Sequence, residues 1–208
     1  MKLIRALLFL TISAAAALGQ LSQGPNGPTV TAGGWANPTY IFVRDGQYAS
    51  KSILPSSNSA NNVTKGFGFT VPAGALIQGI VVTVYRSDLT GFGDLSDYTV
   101  QLQSGGVAIG NNKAALGLWL PGPSTATYGS PTDVWGVSSP MGATVDDSSF
   151  GLTIAVHNQN SDASETAGLD YVSITVYYQA GAAHAFGSIV GEATKFKLPG
   201  VPAGKETR

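Results

Sequence analysis

GLDYVSITVYY, residues 168–178, alternates with a period of two. Val172, Ile174 and Val176 fall on one side, and Tyr171, Ser173, Thr175 and Tyr177 on the other. The pattern predicts a strand with one dry and one wet face, as in an antiparallel sheet covered on one side only. A second run, GIVVTVYR at 79–86, repeats it, with Ile80, Val82 and Val84 inward and Thr83 and Tyr85 outward. Pairing the two antiparallel with Val84 opposite Val172 sets Val82 opposite Ile174 and Ile80 opposite Val176. The same register sets Arg86 opposite Asp170, an opposite-charge pair closing the apolar row, read here as a structural pair.

Further runs continue the alternation. TYIFVR (39–44) reads as a first strand ended by the Asp45-Gly46 turn, and KGFGFTV (65–71) as a strand carried by Phe67 and Phe69. In 98–103, Tyr98, Val100 and Leu102 face inward, and 107–109 closes a hairpin with it. Phe150, Leu152, Ile154 and Val156 line one side of 149–157. The segment 116–135, with Trp119, Tyr128, Trp135 and three prolines, reads as an irregular excursion pinned by its aromatics. Seven or eight short strands with no helical period predict an all-β, antiparallel two-sheet β-sandwich of jelly-roll type.

The chain of 208 residues opens on MKLIRALLFLTISAAAALGQ. Lys2 and Arg5 precede an apolar run, and Ala17 and Gly19 stand before a cut at Gln20. That is the form of a cleaved secretory signal peptide. No later stretch approaches the ~20 apolar residues of a membrane span. The expected plan is a signal peptide at 1–19, a leader or linker at 20–36, the sandwich at 37–179 and a flexible basic tail at 180–208. With no cysteine, the fold is held by packing. Residues 20–180 carry five basic and ten acidic side chains, whereas 181–208 carry four and two. An acidic body argues against nucleic acid as its partner.

The blocks FGFTVPAGALIQGIVVTVYR (67–86), ATYGSPTDVWG (126–136), FGLTIAVHN (150–158) and LDYVSITVYY (169–178), in this order and spacing, resemble an uncharacterised family. Its members are jelly-roll-like β-sandwiches of secreted bacterial proteins and of phage tail or virion-associated proteins. The resemblance implies a module used for display or attachment and transfers no catalytic residue.

Catalysis finds little support. There are two histidines and no thiol, and neither a G-x-S-x-G elbow nor an H-E-x-x-H pair occurs. His157 falls on an outward position and His184 in the tail. A carboxylate pair drawn from Asp88, Asp94, Asp97, Asp133 or Asp170 competes with the turn roles that aspartate ordinarily takes. Asp88, Asp94 and Asp97 in a glycine-bearing loop supply the hard oxygens calcium prefers, and calcium is the one cofactor the sequence suggests. Tyr85, Tyr171 and Tyr177 on the outward row, with Trp119 and Tyr128 in the excursion, are the candidate ligand-binding residues. The tail segment AFGSIV (185–190) is the candidate route to a homo-oligomer, by adding a strand to a neighbour. The expectation is a secreted or surface-located, non-enzymatic structural or adhesive module whose partners are other protein subunits or a surface polysaccharide. The alternative is a carbohydrate-binding module assisted by calcium.

Overall fold

In the computed structural model, which describes residues 19–137 and 142–180, ten strands form two antiparallel five-stranded sheets. The expected signal peptide, save its last residue, and the expected tail beyond Ala180, with its 185–190 segment, lie outside the described residues. Strand β10 (Glu165–Gln179) is the longest, at 15 residues, and sits in the middle of the first sheet. Along one edge it pairs with β5 (Leu76–Asp88), with Val84 opposite Val172, Val82 opposite Ile174 and Ile80 opposite Val176. Over these three pairs the register read from the sequence is the one observed. Its other edge is shared. β1 (Leu21–Asn26) takes the far half and β3 (Ala49–Ile53) the near half. β8 (Ser124–Ser130) borders β5 on the outside.

The second sheet runs β2-β4-β9-β6-β7, built from Val30–Ala32, Asn62–Lys65, Gly151–Asn158, Leu95–Ser104 and Val107–Ile109. Val82, Val84, Val172, Ile174 and Val176 from the first sheet share the core with Val100, Leu102, Leu152, Ile154 and Val156 from the second, each at most 1% exposed. At about 1.5–3 kcal/mol for each fully buried aliphatic or aromatic side chain, this shared interior is the main stabilising term. A short helix, α1 (Gly142–Asp146), buries Val145. Among the described residues no helix is long and apolar enough to cross a membrane.

Several segments depart from the sequence reading, each for a local reason. The stretch 20–36, read as a leader, supplies β1 and β2. Its Gly24 and Pro25 look like breakers but fall where β1 shifts register on an edge, the place a sheet tolerates them. A Cβ at Gly24 would stand 2.5 Å from the Ile174 carbonyl, so the close approach requires glycine. Residues 39–44 are no strand. Asn37 in the left-handed region and Pro38 at the first position start a 3-10 helix, Pro38–Phe42, that buries Ile41. The ladder of β4 stops at Lys65 because Gly66 and Gly68 have φ of 74° and 66°. Phe67 and Phe69 are buried all the same, with ring centroids 6.3 Å apart. Within the excursion 116–135 lies the regular strand β8, flanked by Pro123 and Pro131 where no ladder bond is needed.

Two bulges decide what faces inward. β6 shifts register between Asp97 and Thr99, which leaves Tyr98 53% exposed instead of inward and turns Asp97 toward the core. β10 shifts between Leu169 and Tyr171, so Arg86 stands opposite Leu169 and not opposite Asp170.

Replacing Ile174 by Ala is expected to lower unfolding stability by about 2–5 kcal/mol in urea titration, because the cavity lies between both sheets. Thr175→Ala, one residue on and on the outer face, is expected to stay within about 0.5 kcal/mol.

Candidate functional site

At one end of the sandwich a carboxylate is enclosed between the sheets. Arg86 on β5 reaches across and donates from Nη1 to Asp97 Oδ1 on β6. The same Nη1 donates to the Tyr128 hydroxyl oxygen on β8 at 2.7 Å, and that hydroxyl donates to Asp97 Oδ2 at 2.8 Å. Trp119 Nε1 adds a bond to Oδ1 at 2.8 Å, and the Ala115 N–H one to Oδ2 at 3.0 Å. Each oxygen of Asp97 thus accepts two donors, as a buried charge requires. The Arg86 guanidinium also lies 4.7 Å above the Trp119 ring. Burial, then the Asp97 carboxylate, pushes the Tyr128 hydroxyl far above its ordinary range, so it remains a donor.

These contacts correct two expectations. Trp119 and Tyr128, at 1% and 6% exposure, are internal parts of this network and present no face to a ligand. The expected Arg86–Asp170 pair does not form, because the β10 bulge removes Asp170 from the inward row and Asp97 takes its place. Trp135 is likewise enclosed, its Nε1 donating to the Ile80 carbonyl at 2.9 Å.

Nor do the three candidate calcium ligands converge. Asp97 is occupied as described. Asp88 accepts the N–H groups of Thr90 and Gly91 on Oδ1, and that of Gly93 on Oδ2 at 2.6 Å, which folds its own loop. Asp94 accepts the Asn160 amide at 3.1 Å. Among the described residues no three carboxylate or imidazole side chains are grouped so as to hold a metal ion. Asp133 is bonded to Lys113 at 2.7 Å, which holds its carboxyl below the ordinary range. His157 Nδ1 lies 2.7 Å from Asn58 Oδ1, and among the described residues no acid or nucleophile is paired to it. The sequence reading passed over Glu165, which is fully enclosed beside Asp88, Asp94 and Asn160. Burial, and after it the Asp88 carboxylate, raises this carboxyl.

The outward tyrosine row is partly gathered. Tyr85 and Tyr171 stand directly opposite on β5 and β10, ring centroids 6.0 Å apart, and the Arg44 guanidinium lies 3.9 Å over the Tyr85 ring. Tyr177 is opposite Gly79, six residues further along β10 and therefore roughly 20 Å away. Beside the Tyr85–Tyr171 pair is a depression of about 70 Å³ lined by Arg44, Tyr48, Tyr85, Arg86, Thr125 and Asp170.

The bulged Asp170 faces this depression. Its Oδ1 accepts the N–H groups of Asp45 and Gly46, both at 3.1 Å, while Oδ2 takes no hydrogen bond from the described residues. Arg44 is exposed and makes no ion pair or hydrogen bond among the described residues. Burial and the Asp170 carboxylate raise the Tyr48 hydroxyl, keeping it protonated. Arg44 and Tyr48 carried no period or motif in the sequence. The only signal was a lone arginine closing an apolar run just before the Asp45-Gly46 turn. A larger recess of about 270 Å³ near Val71, Leu76 and Gly142 is apolar, and the Oδ1 of Asp146 in its wall is occupied by the Val71 N–H at 2.8 Å.

No family model matches the chain, and no curated protein does. The resemblance drawn from the sequence blocks therefore extends to the β-sandwich and no further. Among solved structures, one described as "CBM4 structure and function" is 13% identical with a TM-score of 0.38, covering 75% of this chain and 93% of that one. An arabinose-bound GH51 α-L-arabinofuranosidase is 12% identical with a TM-score of 0.39, and the match covers 76% of this chain and 26% of that chain. At this level neither likeness carries a functional argument.

Asp97→Ala strands Arg86 inside the sandwich and is expected to cost about 3–5 kcal/mol by chemical denaturation. Asp170→Ala, which loses only the bonds to the 45–46 turn, is expected to cost about 1–3 kcal/mol. Glu165 is held above the ordinary glutamate value, so its contribution to stability is complete below that value and is lost as pH rises through the raised one. Glu165→Gln is therefore expected to melt higher than the parent at pH 7, with the difference closing toward pH 4.

Proposed function

We propose that this protein is an exported, non-catalytic binding module that attaches to surface carbohydrate through the outer face of its first sheet. One observation carries the reading: the unused hydrogen-bonding capacity around the depression beside Tyr85 and Tyr171. Among the described residues, a guanidinium and a carboxylate oxygen that take part in no hydrogen bond, and a protonated phenol, line one small concavity. Donor and acceptor groups of that kind, brought together in one surface concavity, match the hydroxyls of a sugar. The depression is far smaller than the ~300–1,000 Å³ that encloses a drug-sized ligand, which fits attachment better than turnover.

Export rests on the basic and then apolar first twenty residues. The non-catalytic reading is supported by how the acids are used: Asp97 answers four donors, Asp88 three backbone N–H groups and Asp133 a lysine.

A second reading, assembly with other protein subunits, is favoured by one specific feature. Leu116, Leu118 and Leu120 are 97%, 48% and 64% exposed along the segment crossing the start of β6, and Phe92 is 61% exposed in the neighbouring loop. Exposed apolar residues grouped in this way mark contact surfaces.

The purified protein applied to an array of extracellular polysaccharides and oligosaccharides is expected to bind a subset. Arg44→Ala should weaken that binding roughly tenfold or more by loss of charge-assisted hydrogen bonds, and Tyr177→Ala should leave it unchanged. An array without signal, combined with self-association abolished by Leu118→Asp, would replace the carbohydrate reading with the assembly one.

A further inference from the structure

The depression also restricts what part of a sugar it can take. Resting on the carbohydrate reading above, we infer that it recognises the edge of one neutral sugar residue through a pair of adjacent hydroxyls, and that it is neither a stacking platform nor a site for acidic sugars.

Stacking is ruled out by what already covers the rings. A pyranose lies on an aromatic face, yet the Tyr85 face is occupied by the Arg44 guanidinium at 3.9 Å. Tyr171 fills the neighbouring position at 6.0 Å with its plane tilted by 30°. Its far side is limited by the chain at Gly27, where an added Cβ would stand 2.7 Å from the Tyr171 hydroxyl. The tyrosines build a wall here, and the room is beside them. That room, about 70 Å³, holds a few waters or one edge of a monosaccharide.

Charge then selects the edge. Arg44 offers only donors, and Asp170 Oδ2 offers only an acceptor. They line the same depression without forming an ion pair, and Asp170 remains 7% exposed. A carboxylate or sulfate entering to meet Arg44 is repelled by Asp170, and an ammonium entering to meet Asp170 is repelled by Arg44. Either leaves one charge poorly answered. A hydroxyl pair satisfies both at once: one hydroxyl donates to Asp170 Oδ2 while its neighbour accepts from Arg44. The Tyr48 hydroxyl is available to either as donor or acceptor. The positive charge of Arg86 is answered by Asp97, so it does not tip the balance toward anions. Its Nε nevertheless takes part in no hydrogen bond among the described residues.

The test is titration calorimetry and saturation-transfer NMR with the purified protein. The probes are neutral methyl glycosides carrying a vicinal diol, their mono-deoxy counterparts, and the matching uronates. Binding of the neutral glycosides at ~millimolar Kd is expected, as suits so small a ligand. Removing either hydroxyl of the pair should weaken it about tenfold, and the uronate should bind no better than its neutral parent. Asp170→Asn retains an Oδ1 for the Asp45 and Gly46 N–H groups and is expected to lose the diol preference. Tyr48→Phe is expected to weaken binding with the melting temperature unchanged. Uronates binding more tightly than neutral glycosides, or deoxy sugars binding equally well, would overturn the diol inference and leave the carbohydrate reading standing. No binding by any class of glycoside would remove the reading on which it rests.

Discussion

A carboxylate shut between two apolar sheets has to be answered completely, and the position of Asp97 imposes that requirement on a large part of the chain. Four donors meet it, from β5, β8 and the segment running from Ala115 to Trp119. The pair with Arg86 crosses from one sheet to the other, so it fixes how the sheets are set against each other at that end. Hydrophobic contact alone is indifferent to small slides of one layer over another. A charged pair with satisfied lone pairs is not, since a slide would leave an unpaired ion in a dry interior. Trp119 and Tyr128 are consequently bound to the interior by their polar atoms as much as by their rings.

What could be read from the sequence was the long-range alternation. The pairing of Val82 with Ile174 and of Val84 with Val172 follows once both runs are recognised as one-sided strands, because slipping the register by one residue would expose the whole apolar row. What could not be read was the backbone interruption. An extra residue in a strand leaves no compositional mark, and the one at Tyr98 reverses the face of Asp97 while the one at Asp170 displaces the expected partner of Arg86. Edge strands were hidden for a different reason. β1 and β8 tolerate Gly and Pro inside or beside them because one side of an edge strand has no ladder to maintain.

The same irregularities create the candidate site. Of the tyrosines singled out by period, Tyr85 and Tyr171 meet, while Tyr177 is carried away along β10. The groups completing the site come from outside that pattern: Arg44 from the stretch after the 3-10 helix, Tyr48 from the approach to β3, and Asp170 from the bulge. Asp170 would stand opposite Arg86 in an uninterrupted register. Its actual bonds, to the backbone of Asp45 and Gly46, anchor the turn that bears Arg44 against the tyrosines. A chemical reading of such a chain has to follow the places where alternation fails.

The central strand of the first sheet is also the last of the described strands to be synthesised. β1, β3 and β5 all wait for β10, the first of them across some 150 residues of intervening chain, as in the pairing of Leu21 with Tyr178. Loop closure over such separations comes before any contact rewards it, so folding should be slow and late, on the millisecond-to-second scale of β-sandwiches. A nascent chain that has not yet reached residues 165–179 has no way to complete this sheet, and β1, β3 and β5 stay unlocked until that segment arrives.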